Sequence, residues 1–157
     1  MLFRSVTIVL EWLTQRHYVE CFKQEEAGLD PGFVRVFRLH WTEEAQHARL
    51  DAIQLQAIAA DMHPDAITQS VQEFAGILKS MAELLRQQDA LDLASLEAAC
   101  GGLTGSQRAE LLECLHRDWL WTFILRGLEP ESFQRVYKQV VPEGNRLLSE
   151  VEAMLQA

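Results

Sequence analysis

The stretch PGFVRVFRLHWTEEAQHARLDAIQLQAIAADM, residues 31–62, decides how the rest of the chain is read. Phe33, Phe37, His40, Glu44, His47, Asp51, Leu55 and Ile58 follow one another in steps of three and four. Such steps place side chains on one side of an α-helix. The stripe is apolar at both ends and ionisable in the middle. At about 100° per residue, Glu44 falls close to Phe37, Ala48 and Leu55, while His40, His47 and Asp51 lie on one shoulder of that face. Burying several titratable groups together is costly unless they pair or bind a cation. A metal ion resolves the conflict, because it takes carboxylate and neutral imidazole as ligands.

Punctuation on either side bounds this helix and its neighbours. Asp30 is placed to cap it and Pro31 to open it. The His63-Pro64 step ends it, since a residue before proline avoids the helical region, and His63 is read as a loop residue. The pattern predicts helices over about 2–25, 31–62, 65–90 and 104–126, with a short helical turn in 92–99 and a C-terminal helical segment over 130–156. Gly127 is a natural C-cap for the fourth. No stretch alternates with period two for long enough to predict a strand. The short link between the first two helices makes them antiparallel neighbours. The expected fold is all-α, a single domain built as an antiparallel four-helix bundle with a C-terminal extension.

A chain of 157 residues can bury a real core, and 48% apolar with 24% charged residues is a globular composition. With 23 acidic against 14 basic residues, the net charge of −9 leaves no Lys/Arg stripe for a phosphate backbone. Nucleic acid is excluded as a partner, and anionic lipid is disfavoured. Residues 5–13 are apolar but too short for a membrane span, and Glu11 interrupts them. Cys21, Cys100 and Cys114 form no CxxC pair, so a reducing cytoplasmic setting is expected. The start, almost at once inside a helix, reads as that of an N-terminally shortened chain.

Glu44-Ala-Gln-His47 has a spacing that converges a carboxylate and an imidazole on one point between facing helices. Glu113-Cys-Leu-His116 repeats it in the fourth helix, sharing a face with Ala109, Leu112, Leu120 and Phe123. From the first helix, Glu20 lies opposite Tyr18 and Phe22 and is expected in solvent. Glu11 falls among Ile8, Gln15, Tyr18 and Phe22. In an antiparallel hairpin turning near Gly28, Glu11 comes level with Glu44 and His17 comes near His40. In the third helix the pattern leaves Glu73, Glu83 or neither as a ligand. Trp119, Trp121 and Phe123 read as core. The bland alternative is that these polar groups only hydrogen-bond one another.

On Glu11, Glu44-x-x-His47 and Glu113-x-x-His116, the chain resembles the ferritin-like superfamily of diiron-carboxylate bundles. The run from His40 to His47 is also similar to the His-x-x-x-Glu-x-x-His arrangement of arylamine N-oxygenases, which makes His40 a further ligand. The resemblance implies two irons bridged by Glu44 and Glu113, with Glu11, His47 and His116 terminal and dioxygen reduced for a small-molecule substrate. Asp51 would then fix an imidazole tautomer. Manganese or zinc also suits mixed nitrogen and oxygen donors. A metal-binding bundle without turnover, and a helical interaction module, are the competing readings. A homodimer is compatible with each.

Overall fold

The computed structural model describes residues 1–23 and 28–141, together with residues 149, 151 and 153. Among the described residues the chain is all-helical. Helix α1 spans Leu2–His17 and runs into a π-helical turn, Tyr18–Phe22. Helix α2 spans Pro31–Ala60 and α3 spans Pro64–Cys100. Helix α4, Gly105–Leu120, passes through a second π-helical turn, Trp121–Leu125, into the short α5, Arg126–Leu128. Helix α6 spans Glu131–Val140. The expected end of the first helix at Glu25, and the final segment after residue 141, fall mostly outside the described residues.

Local chemistry sets the boundaries. The Asp30 side chain accepts from the Phe33 amide at 3.0 Å, with Pro31 at the first helical position. His63 is more than a loop residue, because its ring nitrogen caps α3 by accepting from the Asp65 amide at 3.3 Å. Thr104 and Gln107 form a reciprocal capping box at the start of α4. Two expectations are corrected. Helix α3 does not stop near Ala90; residues 91–100 are helix formers with no break, Leu93 is buried, and the helix ends only where Gly101 takes φ 86°. Gly127 is not a terminal cap. It lies in α5, where an added Cβ would sit 2.4 Å from the Val9 carbonyl oxygen, so its role is close approach of α5 to α1.

Helices α1 and α2 are antiparallel, and a ladder of contacts fixes their register. Asp51 accepts from Arg4 at 2.7 Å and from Thr7. Further along, Gln15 donates to the Trp41 carbonyl at 2.7 Å, Tyr18 stacks on Trp41 at 5.3 Å, and Phe22 stacks on Phe37 at 4.3 Å. Helices α3 and α4 form a second antiparallel pair, joined by Asp89 to His116 at 2.9 Å and by Glu97 to Arg108. The core lies where the two pairs meet α5 and α6. Ile8, Leu55, Phe74, Leu78, Ile124, Leu128, Phe133 and Tyr137 are essentially inaccessible there. Each aliphatic or Phe side chain so buried contributes about 1.5–3 kcal/mol. The first π-helical turn also meets α5. Glu20 is exposed, as expected, and pairs with Arg16 at 2.8 Å and with the buried Arg126, whose guanidinium lies 4.0 Å over Trp121.

Candidate metal centre

The ladder between α1 and α2 brings Glu11 level with Glu44, where α2 also presents His47. One donor atom from each of Glu11, Glu44 and His47 lies within 4.8 Å of the other two. His47 Nδ1 is 3.1 Å from one Glu44 oxygen and 3.8 Å from Glu11 Oε2. One turn before Glu44, His40 Nε2 meets the other Glu44 oxygen at 2.6 Å. Glu44 is thus clasped by two imidazoles of its own helix, at i−4 and i+3, while Glu11 approaches from α1. The carboxylates are mostly covered, with side chains 19% and 15% exposed, and the imidazoles are at the rim, 51% and 48% exposed.

This packing shapes the electrostatics. Burial, then a hydrogen bond to Glu44 and the charges of Glu44, Asp51 and Glu43, push the Glu11 carboxyl up to about 8. The same hydrogen bond, with the help of His47 and His40 and against burial, holds the Glu44 carboxyl below the usual carboxylate range. The two directions are opposite because the carboxyls are coupled, so that ionising one disfavours ionising the other. Two carboxylates in contact, with an imidazole nitrogen beside them, match the donor requirements of a hard or borderline divalent cation.

The other sequence-predicted residues are placed elsewhere. His116 bonds Asp89 of α3, and Glu113 is exposed on α4, so the second Glu-x-x-His does not join this cluster. The periodicity is as expected; what differs is the direction the helix faces, since α4 packs its His116 side on α3. Asp51 does not orient an imidazole, because both its oxygens are taken by Arg4 and Thr7. His17 packs edge-on against Phe22 at 5.2 Å and Phe37 at 6.5 Å, and burial followed by the charge of Arg126 lowers its pKa. Glu83 is exposed, and Glu73 accepts from Gln69 at 3.0 Å on the same helix. Trp121 and Phe123 are exposed, while half-buried Trp119 donates to Asp92 at 3.0 Å.

Sequence reasoning placed Gln15 and Tyr18 on the Glu11 face but missed Arg4 and Thr7, which also set the register. They extend the stripe of Glu11, Gln15, Tyr18 and Phe22 in steps of three and four, and that stripe was the available signal. A cleft of about 280 Å³ between α2 and α6, lined by Gln56, Ala59, Ala60, Gln139 and Val140, begins about two and a half turns along α2 from His47. No helix among the described residues is long and apolar enough to cross a membrane. The chain matches no family model, no curated protein and no solved structure.

Proposed function

We propose that this chain is a metal-binding helical protein of ferritin-like character, holding a divalent ion through Glu11, Glu44 and His47, with His40 at the rim as a further donor. The observation that carries the reading is the convergence of three donors from two helices on one point. The donor set fits the ion: carboxylate oxygen and imidazole nitrogen without thiolate favour iron or manganese, with zinc also compatible. A bound cation would offset the repulsion between the two carboxylates, so that both could be charged together. The ion would supply Lewis acidity and, for iron, one-electron chemistry. The protein's residues would fix its position, Glu11 through the Asp51 and Gln15 rungs of the ladder on either side, and Glu44 through the two flanking imidazoles.

Reduction of dioxygen for a small-molecule substrate, which the resemblance implies, requires a second ion beside the first. Glu113 and His116 do not supply it within one chain, so for the isolated chain the reading ends at metal binding. One observation favours a second reading. Glu44 already has both oxygens engaged by His40 and His47, as in a hydrogen-bonded network that needs no ion. Metal content separates the two. Protein produced with iron is expected to hold about one ion per chain, by the three-donor cluster found among the described residues. A Glu44→Ala/His47→Ala variant should lose it while keeping its helical circular dichroism. Absence of metal from the native chain after anaerobic ferrous loading would overturn the proposal in favour of the network.

A further inference from the structure

The metal cluster opens onto a face of the α1–α2 hairpin whose apolar side chains are exposed among the described residues. Going round α2 at about 100° per residue, His40 and His47 are followed by Val36, Leu50 and Leu39, on the side away from Trp41, Ala48 and Ala59. Going round α1, Glu11 is followed by Phe3 and Leu10, on the side away from Ile8 and Trp12. Because the helices are antiparallel, both directions fall on the same side of the hairpin. The opposite side, through Ile8, Leu55 and Ala59, packs into the core. Phe3, Val36, Leu39 and Leu50 are each more than half exposed, and Leu10 only slightly less so. The ladder places Phe3 and Leu50 toward one end of this face and Val36 and Leu39 toward the other, with the cluster between them.

With an aromatic side chain worth roughly 150–250 Å², these five residues expose on the order of 500 Å² of apolar surface. The apolar area flanks the cluster on both sides, and its total is comparable to the roughly 300–600 Å² of a typical monomer's largest and often functional patch; a stable interface takes roughly 800 Å² from each partner, rim included. The cluster in its middle offers three protein donors, all from one side, and a bound ion would still have coordination positions directed at whatever covers the face.

Resting on the metal-binding reading above, we propose that a second copy of this chain packs across this face about a twofold axis at the level of the cluster, so that the two Glu11–Glu44–His47 clusters complete one shared metal centre. A twofold axis makes the same patch serve both partners, so each copy supplies what the other lacks. Charge supplies the condition for assembly. The face carries Glu11, Glu43 and Glu44; Arg4, whose guanidinium lies 5.3 Å over the Phe3 ring, is already paired with Asp51, and each chain has a net charge of −9. Two such faces repel until cations lie between them, so the dimer is metal-dependent. Paired clusters would place two ions side by side, one per chain, from a sequence whose own second Glu-x-x-His points elsewhere.

The experiment is sedimentation velocity of the full chain, loaded anaerobically with ferrous ion or stripped with chelator, beside metal analysis of the sedimenting species. Loaded protein is expected to run at twice the 17.9 kDa chain mass, and stripped protein as the monomer. Leu50→Asp and Val36→Asp alter half-exposed positions without touching a ligand. Each should weaken the loaded dimer by about tenfold or more, since a charge would be buried at the contact. Circular dichroism checks that both variants fold. A loaded monomer that retains its iron would overturn the shared centre and leave the metal-binding reading standing, with the face open to a different helical partner. A dimer indifferent to metal or to both variants would place the interface elsewhere and also overturn it. Native protein that takes up no iron would remove the metal-binding reading itself.

Discussion

Glu11→Gln is expected to make the metal-free protein more stable at alkaline pH while removing its metal site. In the folded chain the Glu11 carboxyl is pushed from 4.5 up to about 8, first by burial and then by Glu44. Unfolded, it ionises at its ordinary value. A folded pKa raised above the unfolded one means that the contribution of this group is fully present below about 4.5. It is lost progressively as pH rises, and the loss is complete above about 8. Each pKa unit corresponds to about 1.4 kcal/mol, so the ceiling is about 5 kcal/mol. The realised value is smaller. The carboxyl keeps some contact with solvent, its side chain being 19% exposed, and the same contact lowers the Glu44 pKa, which returns part of the loss. An expected gain of about 1–2 kcal/mol remains, or roughly 3–6 °C in Tm for a chain of this size.

Glutamine keeps the hydrogen bond to Glu44, since its amide donates in place of the carboxyl, and it does not ionise. Urea unfolding of native and variant protein with chelator present, at about pH 5 and about pH 9, measures the difference. The two should be close at the acid end and diverge in favour of glutamine at the alkaline end. Iron should then stabilise only the native chain, by RT ln(1 + [L]/Kd). A variant equal to or less stable than the native chain at alkaline pH would show that the Glu11 and Glu44 carboxyls are not coupled, and the carboxylate pairing would be wrong.

Other outcomes follow from the same geometry. Ferrous affinity should rise between about pH 6 and about pH 8, with release of close to one proton per ion, because the cation displaces the proton held by Glu11; proton release in calorimetry across buffers of different ionisation enthalpy checks this. Asp51→Ala removes the acceptor of Arg4 and Thr7 and should cost about 1–3 kcal/mol in urea unfolding, with weaker metal binding as the register of Glu11 loosens. Gly127→Ala drives a Cβ into the Val9 backbone and should destabilise by about 3 kcal/mol or more, read as a fall in Tm. Phe74→Ala, in the sealed core against Tyr137, should cost about 3–5 kcal/mol by the same assay.

The reach of the sequence and its limit both appear in the two Glu-x-x-His motifs. Helix boundaries were legible at Asp30-Pro31, His63-Pro64 and Thr104, because caps and prolines act within a few residues. The continuation of α3 through residues 91–100 was obscured by expecting an end where no glycine or proline stands; Gly101 supplies it. The convergence of Glu44 and His47 follows from helical period, and the level of Glu11 follows from an antiparallel hairpin with a short turn. Those relations are local or nearly so. Glu113 and His116 obey the same period, but the rotation of a helix about its own axis is set by the neighbours it packs on. Asp89 lies 27 positions before His116 in the chain, and only the α3–α4 contact brings them together. In the same way the burial of Asp51 on Arg4 and Thr7, and of Arg126 against Glu20, depended on which helices met. Sequence by itself determined the helices and one converging set of donors. Tertiary packing decided that the second set would stand apart, and that the first would open onto an exposed apolar face.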